Sequence, residues 1–497
     1  MARIVSFWIK IICVLGVISI GKYYPLKAQV KSVLHLHPQN SHYFLYQNRP
    51  MVLVGSGEHY GSVINLDFDY KKYLHTIANE GLNVTRVFMG AYVEKLGDFG
   101  ITRNNIAPRE GRLLLPWARS KTPGYVLGGY KFDLTTWDQD YFARLKDFMT
   151  EAARLGIMVE INLFSSYYED GWKYSAFNRI NNVNHTDTIT SKQVNTLANG
   201  NILGYQEKYV RKLVQELLPF GNFYFEIQNE PWWDQSEETF VWNEYGAPKD
   251  WFTQIQIVSQ KSREWQKKVA QWIREEEQKL SAKPHLISQN ISNFYYPIAD
   301  TDSNVSIFNF HYALPKAVTD NYYLNKAVGF NETGFAGRED KTYRRQAWRF
   351  LMAGGGLFNH LDYSFSVGNE TGQDTSYKAP GGGSVMLRKQ LSILKHFFDR
   401  IGFINLFPDA SVVQTAPGAV TYTLSDRKSQ WVIYWESMTP HMYDLTINLP
   451  KGVYEAEWFD VTTGKSIQKI STGSGKLSVP GNGEDRVVVI RKSSIGK

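Results

Sequence analysis

The sequence has almost no sulfur chemistry: one cysteine, Cys13, in 497 residues. A disulfide framework and a thiolate zinc site each need several cysteines at fixed spacing, so both are excluded. Past the first 28 residues there is no long uninterrupted apolar run, which leaves no candidate for a further spanning helix. No H-E-x-x-H, no EF-hand spacing and no strand-linked G-x-G-x-x-G occurs, and Pro380-Gly-Gly-Gly-Ser384 lacks the Lys-Ser/Thr of a phosphate loop. Neither a metal nor a cofactor is therefore expected. His35, His37 and His42 are read as part of a flexible lead.

What is abundant is aromatic. Trp 14, Tyr 30 and Phe 28 make 14% of the chain, an excess that must fill cores or form flat surfaces for a ligand. Charged residues at 21% and hydrophobic residues at 43% are ordinary for a folded globular protein and exclude a disordered tail or a multi-span membrane protein.

Residues 1–28 read as a secretory signal, with Arg3 leading an apolar stretch and a bond after Ala28 as the expected cleavage point. Lys10 interrupts the stretch; an uncleaved anchor is the alternative. The segment carries Arg3, Lys10, Lys22 and Lys27 and no acid, so the formal charge falls from +7 to +3 without it. The basic balance thus belongs largely to the leader, and no nucleic-acid partner is inferred. Loss of Cys13 would leave a thiol-free chain suited to a periplasmic or extracellular location.

Residues 29–50 form a lead with a hairpin-like HYFLYQNRPMV. From 51 to 403, eight strand-like runs recur: 51–57, 82–88, 157–164, 222–228, 285–290, 305–312, 326–332 and 356–363. Helical spacing separates several of them, over 67–80, 137–155, 206–218, 250–280 and 384–400. Eight such units predict a (β/α)8 barrel of the α/β class. The run 224–230 sets Glu226, Gln228 and Glu230 on one face and Phe225 and Ile227 on the other, and Glu160 and Asn162 alternate likewise with Val159, Ile161 and Leu163. A polar inner face of this kind would floor an active site. Residues 405–497 lose the helical period and read as a small antiparallel β-sandwich.

Two carboxylates stand at strand ends: Asn229-Glu230-Pro231 closes the fourth run and Asn331-Glu332-Thr333-Gly334 the seventh. This pattern resembles the (β/α)8 retaining glycoside hydrolases of clan A, whose acid/base Glu follows an Asn on strand four and whose nucleophile Glu ends strand seven. The resemblance covers about residues 45–403. It implies hydrolysis of O-glycosidic bonds in a polysaccharide or oligosaccharide by double displacement, with Glu230 protonated as the acid/base and Glu332 ionised as the nucleophile. The bare alternative is that both residues only cap strands.

The same resemblance makes Arg86 the partner of the nucleophile, as against an interior ion pair. It gives Asn229 a sugar hydroxyl, and His311 and Tyr312 an orienting or sugar-contacting place, with a satisfied core histidine as the alternative. Glu58, His59 and Tyr60 after the first run, and Asp362 and Tyr363 after the eighth, are strand-end polar candidates without a motif. The run HLDYSF has no tryptophan where the clan usually ends strand eight with one. Trp232 and Trp233 follow Glu230, and Trp117, Tyr167, Tyr168 and Trp172 lie on long connections, 93–133 and 164–201, that would narrow the cleft toward terminal or branch sugars; these are the rings expected to meet a sugar, the alternative being that the loop rings only hold the loops down.

The chain also resembles bacterial polysaccharide-utilisation enzymes in which a sandwich, sometimes labelled collagen-binding, follows the barrel. A monomer is expected, with a polysaccharide surface as a further partner of residues 405–497. The competing function is a catalytically silent carbohydrate-binding protein on the same scaffold.

Overall fold

The computed structural model describes residues 32–168, 170–241, 251–441, 443–481 and 483–493. The leader expected over 1–28 lies outside the described residues. No described helix is long and apolar enough to cross a membrane.

All eight expected strands form one parallel sheet. They are β1 (Leu53–Gly57), β2 (Val84–Phe88), β3 (Met158–Ser165), β4 (Phe223–Asn229), β5 (Ile287–Asn290), β6 (Ile307–His311), β7 (Ala327–Glu332) and β8 (Leu357–Leu361). Their order, β1-β8-β7-β6-β5-β4-β3-β2, runs once around a barrel. At the β1–β2 seam, Asn83 takes the place of a regular ladder. Its side chain accepts from Val54 N at 2.8 Å and donates to Val52 O at 2.9 Å, while its own N–H donates to Val54 O at 3.1 Å. Gly55 permits this approach, because a Cβ there would lie 2.6 Å from Val84 O.

Helices α1 (Tyr70–Asn79), α2 (Gln139–Arg154), α3 (Ile202–Leu217), α4 (Gln260–Lys279), α5 (Lys316–Asn321), α6 (Asp340–Met352) and α7 (Val385–Ile401) connect the strands. Each long one buries the apolar stripe that its spacing defines, as Leu387, Leu391, Leu394 and Phe398 do in α7. The helix expected over 250–280 begins only at Gln260. Ahead of it, Gln254–Val258 pairs antiparallel with Ser236–Val241. The alternation Gln254-Ile255-Gln256-Ile257 has a period of two, and Ser259 then caps the helix by accepting from Ser262 N.

The N-terminal lead is ordered structure. His35–His37, Asn40–Tyr46 and Arg49–Met51 form a three-stranded sheet, turned at Gln47 and Asn48 with both residues at positive φ. Leu34 and Phe44 from this sheet join Leu53, Val84, Met158, Tyr224, Ile307, Ala327 and Leu357 in an apolar plug that closes the bottom of the barrel. His42, expected to be flexible, is buried and stacked on Tyr322 with ring centroids 3.6 Å apart.

The C-terminal region is all antiparallel. A six-stranded sheet (Phe407–Pro408, Ala419–Ser425, Gln430–Ser437, Asp485–Lys492, Tyr454–Asp460, Ser466–Thr472) faces a three-stranded one (Val413–Thr415, Leu445–Ile447, Gly475–Leu477). Trp431, Ile433, Trp435, Trp458, Val488 and Ile490 fill the space between the two sheets. The alternate residues of the larger sheet, Val432, Tyr434, Val487 and Val489, belong instead to the barrel core. Tyr434 stacks on Trp348 of α6, and Arg344 of the same helix makes paired bonds to Asp485 at 2.8 and 3.1 Å. The central strands of that sheet, Gln430–Ser437 and Asp485–Lys492, are therefore buried on both faces, one in the sandwich and one against the barrel.

The plug makes a stability prediction. Phe44→Ala should cost about 3–5 kcal/mol, because it leaves a cavity where three chain segments meet. A urea midpoint unchanged from wild type would show that the N-terminal sheet does not support the barrel.

Candidate active site

The chemistry-bearing residues gather at the C-terminal ends of the strands, the end where barrels of this kind place their sites. Arg86 comes from β2, Asn229 and Glu230 from the end of β4, His311 and Tyr312 from β6, and Glu332 from β7. Tyr60, Tyr168, Glu230 and Tyr312, each just past a strand, all have φ between 46° and 54°. Non-glycine residues in that left-handed region cost of order 1–3 kcal/mol each, and such strain concentrates where geometry serves a function.

Glu332 is surrounded by donors. Its Oε2 accepts from Tyr60 OH at 2.7 Å and from Arg86 Nη1 at 2.8 Å, and its Oε1 accepts from Tyr312 OH at 3.2 Å. His311 Nδ1 stands 3.4 Å from the same Oε1. Burial alone would favour the neutral acid, but the His311 charge and hydrogen bond, with Arg86 and Tyr60, hold the carboxyl down at about 2. Burial also opposes a charge on His311, yet Glu332 and the bonds to both carboxylates raise it to about 9.

Glu230 shares these partners. Its Oε1 accepts from His311 Nδ1 at 2.8 Å and Tyr312 OH at 3.1 Å, and its Oε2 accepts from Tyr168 OH at 2.8 Å. Asn229 in turn donates to Tyr168 OH at 2.8 Å and accepts from Arg86 Nη2 at 2.7 Å. One oxygen of each carboxylate and one nitrogen of His311 lie within 4.8 Å of one another. That trio is the one group among the described residues spaced to hold a metal ion. A proton on the Nδ1 that faces both carboxylates, as the raised His311 value implies, occupies the lone pair a metal would need.

Beneath the pair, Glu226 accepts from Arg86 Nε at 2.9 Å, Asn162 at 2.7 Å and Asn331 at 2.7 Å, and also from Asn290. Glu160 accepts from Asn309 and Asn331, and burial followed by the Glu226 charge lifts it to about 8. The alternation seen in β3 and β4 therefore lines a hydrogen-bonded interior floor. Asparagines at inward positions of five strands were the signal in the sequence that this floor would be polar.

A cavity of about 140 Å³ opens above the pair. Its lining includes His59, Tyr60, Tyr168, Asn229, Glu230, Trp233, Tyr312 and Glu332. Of the strand-end candidates Glu58, His59 and Tyr60, the last two line it. Sequence reasoning missed Glu94, Tyr92 and Phe99 of the loop after β2, which also line the cavity.

Several candidates are elsewhere. Glu58 is a turn-former, accepting from Gly61 N, Ser62 N and Ser62 Oγ and from Asn105. Asp362 is buried beneath the strand end on Arg388 and Ser56. Trp232 is 1% exposed, its ring set edge-on to His311 as support. Tyr363 packs behind His59.

Of the rings expected to meet a ligand, Trp117 is packed against Phe177 and Tyr209, and Tyr167 and Trp172 pack on each other. The long connections fold as compact structure with their own aromatic cores, which is why these rings face inward. Tyr168 and Trp233, the latter 42% exposed, do line the open space.

The fold has well-defined counterparts among solved structures. A glycoside hydrolase family 5 protein from Bacteroides vulgatus superposes with a TM-score of 0.62 at 14% identity, covering 93% of each chain. A structure titled glycoside hydrolase gives 0.55 at 13% identity, covering 93% of this chain and 98% of the other. Identities this low speak for the fold: a (β/α)8 barrel with an antiparallel β C-terminal region. No protein-family model matches the chain, and no curated protein matches its sequence.

The opposed pKa directions predict a pH signature in stability. Glu332, depressed from 4.5 to about 2, should stabilise fully above pH 4.5 and lose that contribution as pH falls toward 2. His311, raised from 6.5 to about 9, should stabilise fully below pH 6.5 and lose its contribution as pH rises through 9. Urea midpoints measured from pH 2 to 10 should fall at both ends. Glu332→Gln should flatten the acid side and weaken the alkaline side, and an acid limb identical in the variant would contradict this account.

Proposed function

We propose that this protein is an exported retaining glycoside hydrolase acting on O-glycosidic bonds of an oligosaccharide or polysaccharide, with Glu332 as nucleophile and Glu230 as acid/base. The observation that carries the reading is the approach of the two carboxylates, whose nearest oxygens share Tyr312 OH and lie within 4.8 Å. Double displacement uses carboxyl groups about 5–5.5 Å apart, whereas a water-inserting inversion needs about 6.5–9.5 Å. The barrel of the family 5 neighbour is in keeping with this reading.

In the first step, Glu332 attacks the anomeric carbon as Glu230 gives its proton to the departing oxygen, so the glycosidic bond breaks as a glycosyl ester forms. In the second, Glu230 takes a proton from water, the water oxygen bonds to the anomeric carbon, and Glu332 leaves as carboxylate. The roles follow from the surroundings. Arg86 and Tyr60 keep Glu332 ionised for attack, through Oε2. Its Oε1 has the longer contacts and is the oxygen free to leave its donors as the ester forms. His311 couples the two, since its proton can follow the negative charge from one carboxylate to the other. Export rests on the leader over 1–28, and the division into a catalytic unit at 51–403 and an accessory unit at 405–497 belongs to the same proposal.

Two variants and one spectrum test it. Glu332→Gln should abolish turnover on every glycoside. Glu230→Gln should cost about 10²- to 10⁴-fold on poor leaving groups and much less on activated aryl glycosides, which need little protonation. Proton NMR of the first product should report the anomer of the substrate. An inverted product would overturn the mechanism, and wild-type protein that binds glycans while cleaving no member of an aryl-glycoside panel would establish the silent binder instead.

A further inference from the structure

The space above the carboxylates has two unequal parts. The 140 Å³ cavity meets a basin of about 630 Å³ at Tyr92, Phe99, Tyr168 and Trp233, which line both. Tyr168 bonds to Glu230, and Trp233 follows it by three residues with its N–H on Glu230 O. The leaving group must extend past the acid, so the basin is on the leaving-group side. The sugar that bonds to Glu332 must occupy the small cavity.

The far side of that cavity is walled. After β2 the chain folds back so that Glu94 and Ile101 are buried in the cavity lining. The wall is clasped to the segment after β8: Thr102 N donates to Lys378 O at 3.0 Å, Lys378 N donates to Thr102 Oγ1 at 3.0 Å, Arg103 pairs with Asp374, and Asn105 reaches Phe365 O at 3.3 Å. These contacts hold the wall against the barrel.

The wall carries a polar group that the hydrolytic steps leave unused. Glu94 is 4% exposed, accepts from Tyr92 OH at 3.1 Å and from Asn104 Nδ2, and lies 3.9 Å from His59 Nε2. His59 Nδ1 is buried without a hydrogen-bond partner among the described residues. Burial pushes Glu94 up to about 8 and His59 down to about 4, so at neutral pH the first is an acid with a proton to offer and the second a neutral imidazole. Such a pair can both donate to and accept from hydroxyl groups. Among the described residues no lysine or arginine lines the cavity, which fits an uncharged sugar.

We infer that the small cavity is a blind pocket for one neutral terminal sugar, whose hydroxyls are read by Glu94 with His59. The protein then removes single residues from non-reducing ends and does not cut chains internally. This inference rests on the hydrolase reading above and adds the mode of cleavage and a specificity-determining residue to it.

The test uses the full chain with reduced, end-labelled gluco-, manno-, galacto- and xylo-oligosaccharides and the corresponding nitrophenyl monoglycosides. The expected product on a cleaved oligosaccharide is monosaccharide alone from the earliest time points, with no cleavage once the non-reducing end is blocked. A ladder of internal fragments, abolished by Glu332→Gln, would overturn the blind pocket and leave the hydrolase reading standing. No cleavage of any substrate would remove both.

On the nitrophenyl glycoside that is turned over, Glu94→Ala should lower kcat/KM by about 100-fold or more, because a site built to bond a hydroxyl loses it. Glu94→Gln should recover part of that loss. A series of monodeoxy glycosides completes the cycle: one deoxy position should penalise wild type strongly and Glu94→Ala hardly at all. Equal penalties in both proteins at every position would show that Glu94 reads no hydroxyl and only props the wall.

Discussion

The structure turns on a single buried cation. Arg86 is 1% exposed and lies between Glu226 below and Glu332 above, with Asn229 at its side. A guanidinium removed from water is tolerable only when its donors are matched, and here its planar fork spans the floor and Glu332 at once. Glu226 is fixed by asparagines of β3, β5 and β7, so the position of Glu332 is referred back to most of the barrel. Tyr60 and Phe88 stack at 4.8 Å with the Arg86 guanidinium carbon 4.7 and 5.1 Å from their ring centroids, which closes the cation off on its remaining face. The site is stiff because its charges have nowhere else to go.

That stiffness also explains the strained backbone at four strand ends. Strands point their last side chains up the barrel axis, and a turn into the left-handed region redirects the next residue over the mouth. Tyr60 and Glu230 show the two outcomes, one reaching Glu332 and the other placing its carboxylate on Tyr168 in the cavity lining.

The barrel was legible because its signals are local. Eight apolar runs with polar alternates name the strands, and stripes such as Leu387 to Phe398 name the helices. Glu230 and Glu332 were legible because each sits within a residue of a strand end, and Arg86 because it lies in a short strand, where topology dictates direction. The rest depended on how loops fold. Glu94 lies in an irregular stretch whose return onto the barrel is set by contacts with residues near 374 and 378, far along the chain. Trp117 and Tyr167 looked like surface rings because nothing in their neighbours announces the aromatic core they join. Period misled at 254–258, where Ile255 and Val258, three apart, also fit the start of a helical stripe. Glu58 and Asp362 share the strand-end position of the true lining residues, and only the partners that saturate them mark them as structural.

The plug beneath the barrel bears on orientation. Leu34 is bonded to Gly221 O at the bottom of β4, at the pole opposite the cavity. Val33 and Leu34 thus lie at the closed pole. A contact made at this pole would leave the mouth of the barrel turned the other way, open to solvent.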